Sequence, residues 1–243
     1  MREMEDHYWW FVGRREAAIS LIKSYLHLDH PTILDLGCGT GAVTLEAAKL
    51  GPTVGVDMSA DALRFNSERP HPEKVLFALG DGIALPVASN SVDAIVALDV
   101  YEHIERDDLA FLESFRALKP GGVLVLSVPA FRWLWGPHDV ALHHFRRYHR
   151  TELKQKLESA GFQVEKLTFA VFFLFPLVVL LRALDKFKRG PARAQLPPVP
   201  GWLNQALIGL LSFEMRLAGR VSGLPWGSSL VVVGRKKSVN STA

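Results

Sequence analysis

From about residue 14 to residue 166, short apolar runs alternate with amphipathic stretches, and no other property of this 243-residue chain restricts its fold so strongly. A short strand that is apolar throughout must be covered on both sides, and helices inserted between parallel strands supply that cover. Residues 14–26 read as a helix, with Ala17, Ala18, Leu21, Ile22 and Tyr25 at helical spacing. Strands are predicted at 32–36, 53–57, 75–78, 92–98 and 123–128. Helices at 42–50 (closed by Gly51), 60–68 and 107–118 separate them, the last stopped by Lys119-Pro120-Gly121-Gly122. A helix over 151–160 follows, with Thr151 as N-cap and Gly161 as stop, and then a sixth strand from 163 to about 170 and a seventh over 229–236. The pattern is that of an α/β fold.

About fifty residues between the sixth and seventh strands fall outside this rhythm, far more than an ordinary loop. They begin in FAVFFLFPLVVLLRALDKFKR (169–189), pass through a proline-rich linker at 191–200, and continue in a second apolar stretch at 202–217. A membrane-spanning helix needs about twenty apolar residues. The core at 169–181 is shorter, is partly used by the sixth strand, and is expected to break at Pro176. Arg182, Lys186, Lys188, Arg189 and Arg193 follow it, and aromatic and leucine side chains beside a basic cluster suit a helix lying on an anionic bilayer surface. In the second stretch Leu203, Leu207, Leu210 and Leu211 gather near one face. A helical hairpin is expected, docked on a bilayer, capping a greasy pocket, or packed on the sheet or on a homodimer partner. One domain over 1–243 is expected, with 1–13 as an aromatic lead and 172–227 as the apolar and basic insert.

With 49% hydrophobic and 22% charged side chains, a disordered or multi-span chain is excluded. Cys38 is the single cysteine, so no intramolecular disulfide can form, and MREMEDHYWWFVGRRE lacks the parts of a signal peptide. A cytoplasmic location is expected, peripheral at the inner face of the membrane if the insert docks there. The net charge of +3 is mild and no aromatic-basic stripe appears, so no nucleic-acid partner is expected.

The loop ILDLGCGTGAVT sets Gly37, Gly39 and Gly41 between a strand and a helix, where glycines allow a tight turn and close approach of a ligand to the backbone. Alone it also satisfies a dinucleotide-binding pattern. Acids narrow the choice: Asp35, Asp57 and Asp81 end three successive strands and turn carboxylates toward one crevice. Such a crevice suits an amino group, a ribose diol and an adenine amine, and repels a pyrophosphate.

DLGCGTG (35–41), GVD (55–57), GDGIALP (80–86), NSVDAIVALDVYEHI (90–104), LKPGGVLVLSVP (118–129) and AGFQVEKL (160–167) together resemble the class I S-adenosylmethionine-dependent methyltransferases, in the broad group that includes ubiquinone and menaquinone biosynthesis enzymes. The resemblance implies a Rossmann-like seven-stranded sheet, mostly parallel with the last strand antiparallel, helices on both faces, and S-adenosyl-L-methionine as cofactor. It assigns Asp35, Gly37 and Gly39 to the methionine end, Asp57 to the ribose, Met58, Asp81 and Gly82 to the adenine, and Leu98 to the sulfonium side. It also implies that the aromatic lead, with Tyr8 and Trp9, folds across the cofactor as a lid; the alternative is an aromatic anchor that packs the leading helix onto the core. LDVYEH (98–103) stands where methyltransferases acting on amino nitrogens carry Asn/Asp-Pro-Pro-Tyr, which argues against nucleic-acid chemistry.

Methyl transfer is an in-line displacement and needs a general base only when the nucleophile holds its proton tightly. PHDVALHHFRRYHR (137–150) follows the fifth strand and lies on the substrate side of the crevice. His138 and His143 are candidate bases there, Asp139 an orienting carboxylate, Arg146 and Arg147 an anion clamp, and Tyr148 a further substrate contact. His103, with Glu102 just after the fourth strand, is a third candidate base. His138 and His143 could converge on a metal, but their spacing matches no metal signature and no Cys or Glu joins them, so none is assigned. Capping and surface roles remain open for these side chains. A hydrophobic or lipid-linked acceptor at a membrane surface is the expected substrate. The alternatives are a soluble metabolite with the insert as lid, and a non-catalytic cofactor-binding subunit.

Overall fold

The computed structural model of the chain describes residues 2–185, 198–220 and 223–237. Its strands are β1 (Ile33–Leu36), β2 (Thr53–Asp57), β3 (Val75–Leu79), β4 (Val92–Leu98), β5 (Leu118–Pro129), β6 (Phe162–Ala170) and β7 (Ser229–Lys236). They form one sheet in the order β3-β2-β1-β4-β5-β7-β6. The first five pair in parallel, and β7 runs antiparallel to both β5 and β6, so it alone is reversed. The helices are α1 (Arg2–Glu5), α2 (Trp9–Tyr25), α3 (Ala42–Ala47), α4 (Ala60–Ser67), α5 (Asp107–Ala117), α6 (Pro137–Ala141), α7 (Arg150–Ser159), α8 (Phe175–Asp185) and α9 (Gly201–Arg220).

Alternation along each central strand feeds two cores. Leu34, Ile95, Leu124 and Leu126 point to one face and pack with Phe111, Leu153 and Leu157 of α5 and α7. Ile33, Ala94, Val96, Val123 and Val125 point to the other and pack with Ala18, Ile19 and Ile22 of α2. Strands apolar throughout are stable here because both faces are covered.

Several boundaries differ from the sequence reading for local reasons. The fifth strand starts at Leu118 and not at Val123: α5 ends at Ala117, and Lys119-Pro120-Gly121-Gly122 forms the irregular start of β5, where Gly121 has φ +86° and the pairing with β4 shifts register. His149, not Thr151, caps α7, and its Nδ1 lies 2.9 Å from the Thr151 hydroxyl. Pro176 does not break the apolar run but stands in the first turn of α8, where its missing N–H leaves no bond unmade. The first long helix begins at Trp9, five residues before the expected Arg14.

The insert contributes α8 and α9. A Cβ on Gly13 would lie 2.6 Å from Leu211 Cδ1, so glycine lets α2 and α9 approach closely. Asn204 of α9 accepts from the Trp9 N–H at 2.8 Å and donates to the His7 carbonyl at 2.7 Å. Glu214, fully buried, accepts from the Phe172 N–H at 2.8 Å. Lys186, Lys188, Arg189 and Arg193 lie outside the described residues, as does the linker up to 197. Among the described residues no helix is long and apolar enough to cross a membrane.

Candidate functional site

Strand order reverses between β1 and β4, so the loops leaving their carboxyl ends diverge and open a crevice. The loop after β1 carries Gly37, Gly39 and Gly41 at φ +71°, +50° and +81°, a region costly for residues with a side chain. A Cβ on Gly37 would meet Val100 Cγ2 at 2.5 Å, whereas nothing lies within 4 Å of one on Gly39, so the backbone there faces open space. Asp57, ending β2, fastens this cradle: Oδ2 accepts from the Gly39 N–H and Oδ1 from the Ser59 N–H, both at 2.8 Å. Asn66 donates to the Gly39 carbonyl at 2.8 Å.

The other cofactor candidates occupy different depths. Asp35 is buried beneath the loop and accepts from the Thr44 hydroxyl at 2.6 Å. Burial lifts its carboxyl from 3.8 to about 7, against the Thr44 hydrogen bond and with help from the charge of Asp57. It supports the cradle from below and does not face the crevice. Asp81 is exposed after β3, with Oδ1 accepting from the Ile83 N–H at 3.1 Å. Gly82 is buried against Ile104, Met58 is 77% exposed, and Leu98 is half-buried at the end of β4.

The aromatic lead runs across this edge. The Glu5 carboxylate accepts from the Thr40 hydroxyl of the glycine loop, and Arg15 holds the Glu5 carbonyl at 3.0 Å. Arg14 pairs with Asp99 after β4 and donates to the Ser127 hydroxyl of β5, its guanidinium 5.0 Å from the Trp10 ring. Tyr8 is buried and Trp9 half-buried where α1 meets α2, their rings 6.0 Å apart.

Most of the candidates read from 137–150 turn inward. Asp139, fully buried, accepts from the Gly136 N–H, His144 Nδ1 and Arg147 Nε at 2.9, 3.0 and 2.7 Å. Burial alone would raise its carboxyl, but the bonds from His144 and Arg147 hold it well below the carboxylate range. Arg147 also donates to the Ala130 carbonyl, the Tyr148 hydroxyl donates to Asp107 at 2.8 Å, and Arg146 pairs with Asp107 at 2.6 Å. These four side chains bind the segment to the core instead of facing a substrate. His143 is exposed at φ +56°, and His138 is half-buried, with burial and Arg182 pushing its imidazole below the ordinary value.

The groups brought together are Glu102, His103 and His144. Their ligand atoms lie within 4.8 Å of one another, and the His103 and His144 rings meet edge to face with centroids 4.6 Å apart. Glu102 is fully buried with neither carboxylate oxygen hydrogen-bonded, and burial followed by the charge of Asp99 raises it well above the carboxylate range. Burial and His144 lower His103. The sequence had placed Glu102 and His103 near the reacting end. The pairing of His103 with His144, forty-one positions away, had no signal in the spacing.

Residues 34–126 match the family of the methyltransferase domain. The chain is 33% identical over 161 residues to malonyl-(acyl-carrier protein) O-methyltransferase of Methylococcus capsulatus, covering 61% of this chain and 58% of that protein. It is 32% identical over 198 residues to the biotin biosynthesis bifunctional protein of Cellvibrio japonicus, covering 75% of this chain and 39% of that one. The chain thus spans less than two thirds of either relative. In fold it is similar to a Thermotoga maritima S-adenosylmethionine-dependent methyltransferase (TM-score 0.61, 19% identity, 97% and 95% covered). It is also similar to phosphoethanolamine N-methyltransferase 2 of Haemonchus contortus in complex with S-adenosyl-L-methionine (TM-score 0.61, 18% identity, 92% and 53% covered).

Proposed function

The chain carries a class I S-adenosylmethionine-dependent methyltransferase domain, and from that premise we propose that it methylates a hydrophobic or lipid-linked acceptor presented at a membrane surface. The cradle fits the donor: Gly39 leaves backbone open where a Cβ would fill the space, and Asp57 and Asp81 stand at successive strand ends. When bound, S-adenosylmethionine supplies an electrophilic methyl on a sulfonium. Gly37 and Gly39 would let its methionine end approach the backbone, with Asp35 acting through Thr44 beneath them. Asp57 would take the ribose diol, and Asp81, Gly82 and Met58 the adenine. Leu98 would border the sulfonium.

Chemistry then depends on alignment and dryness. Arg14, tied to Asp99 and Ser127, holds Trp10 and the rest of the lead over the edge and keeps water out. A hydroxyl acceptor would lie near Glu102, His103 and His144, which can draw off its proton.

One observation carries the acceptor reading. Trp133, Phe173, Leu177, Leu180, Leu181, Phe213 and Trp226 are large apolar side chains left exposed on α8, α9 and the adjoining loops. Ring contacts join Phe173 with Phe213 directly, and set Trp133 and Trp226 against the half-buried Phe175 and Phe172. Exposed apolar side chains gathered on one insert in this way suit a binding or membrane face. The M. capsulatus relative is named for an acceptor tethered to a large carrier, which also needs an open mouth. The protein would be cytoplasmic and peripheral at the inner face of the membrane. Flotation with phosphatidylglycerol vesicles tests this. The wild type should float and a Leu177→Asp/Leu181→Asp variant should stay behind, and a wild type that never floats refutes the membrane reading. That result would favour a soluble acceptor with the insert as lid, for which the docking of α9 on α2 through Asn204 and Leu211 speaks.

A further inference from the structure

We propose that Glu102, His103 and His144 bind a divalent transition-metal ion beside the 3₁₀ turn that follows β4. Two imidazoles and one carboxylate, with their ligand atoms already within 4.8 Å, need only a small inward shift to share an ion. Metal–ligand distances in such sites are about 2.0–2.2 Å. This donor set suits Zn²⁺, Fe²⁺ or Co²⁺ and disfavours Mg²⁺, which prefers oxygen.

Two independent observations point to a cation. The first is Glu102: a fully buried carboxylate with both oxygens unpartnered is expensive, and buried polar groups almost always find a partner. An ion between Glu102 and the imidazoles supplies it. The second is the outer shell. His144 Nδ1 is committed to Asp139, itself fixed by the Gly136 N–H and Arg147, and this leaves Nε2 as the free ring nitrogen. The His103 ring meets that of His144 edge to face, with centroids 4.6 Å apart. A ligating histidine typically has its second nitrogen held by a carboxylate or a carbonyl, which orients the ring and fixes the tautomer. Here the His144 ring is held in that way without any ion. His103 is exposed, so an ion can reach the site, and three protein ligands leave coordination positions open.

Binding of the ion stands apart from the methyl-transfer reading, but its chemical role rests on that reading. An acceptor hydroxyl on the ion would release its proton to water, and its oxygen would form the new O–CH₃ bond as the donor's S–CH₃ bond breaks. No free histidine base would then be required.

The test uses untagged full-length protein freed of metal by a chelator. Titration with Co²⁺ should give one equivalent bound with a visible absorption band from nitrogen and oxygen ligation, Zn²⁺ should displace it, and Mg²⁺ should not. Glu102→Gln and His144→Gln should each weaken binding at least about 100-fold, and Asp139→Asn about 10–100-fold by loosening His144. Circular dichroism identifies any variant that fails to fold, and His103→Gln then serves in its place. The proposal is overturned if the wild type takes up no stoichiometric Co²⁺ or Zn²⁺, or if folded ligand variants bind as the wild type does. Calorimetry with S-adenosylhomocysteine on the metal-free protein reads donor binding separately, so failure of either idea is visible on its own.

Discussion

Asp57→Ala puts the donor site to the sharpest test. Its carboxylate already holds the N–H groups of Gly39 and Ser59 at 2.8 Å each, and a ribose diol would add two further bonds to the same oxygens. Hydrogen bonds to a charged partner are worth about 1.5–3 kcal/mol each, so losing the diol pair removes about 3–6 kcal/mol. At about 1.4 kcal/mol per factor of ten, the dissociation constant should rise about 10²–10⁴-fold. The fold should suffer far less. Ser59 is exposed and Gly39 half-buried, so water can replace the carboxylate at both N–H groups, and the loss in stability should be about 1–2 kcal/mol. Asp57→Asn separates the two effects, because its carbonyl can still accept from Gly39 while the second acceptor and the charge are gone. Calorimetric titration of S-adenosylhomocysteine into wild type, Ala and Asn proteins, with melts of the same samples, gives both quantities. A folded Ala variant that binds within threefold of wild type would refute the placement of the ribose at Asp57.

Gly13→Ala should force Leu211 away from α2 and destabilise the protein by about 1–3 kcal/mol, read as a lower urea midpoint; an unchanged midpoint would show that α9 yields freely. Asp35 should make the donor-free protein pH-sensitive. Its folded carboxyl, at about 7, stands above the ordinary 3.8, so the fold binds the proton more tightly than the unfolded chain does. Its contribution to stability is therefore full below pH 4 and is lost as pH rises to 7, by about 4 kcal/mol at most. Asp35→Asn should remove that loss, so that its stability relative to wild type grows from pH 4 to 7; a difference independent of pH would refute the assignment.

Local chemistry made the sheet readable. Seven strands, their order along the chain and the glycine loop follow from apolar runs and turn residues whose effects reach only a few positions. The misplacements came where two local signals compete. Lys119-Pro120-Gly121-Gly122 and Pro176 are both helix breakers by residue type, yet the first starts a strand and the second starts a helix, because sheet pairing and position in the first turn decide. At the site, a strand end fixes where Asp57 and Asp81 stand, whereas Asp35, inside β1, is buried beneath the loop and bonded to Thr44. Burial was not readable. Asp139, Arg147 and Tyr148 carry the polar groups of a binding site but spend them on Gly136, Ala130 and Asp107. The meeting of His103 with His144 depends on the path of the loop through α6, which no periodicity encodes.

The contacts of α2 give the insert a consequence for the donor. On one side Arg14 ties α2 to Asp99 and Ser127, and Glu5, just ahead of it, touches Thr40 of the cradle. On the other, Asn204 holds His7 and Trp9, Leu211 fills the space over Gly13, and Ser212 donates to Glu16 at 3.2 Å. The segment that crosses the cofactor edge therefore cannot lift without breaking its bonds to α9 or carrying α9 along. A cavity of about 30 Å³ lies at this seam, lined by Gly13, Arg14, Ser127, Leu211 and Glu214. On the proposed placement of the donor under this lead, a ligand or surface that displaces α9 changes donor affinity, and linkage requires the donor to change affinity for that ligand by the same factor. Gly13→Ala, which presses on α9 from the side of α2, acts on the same seam without touching either ligand.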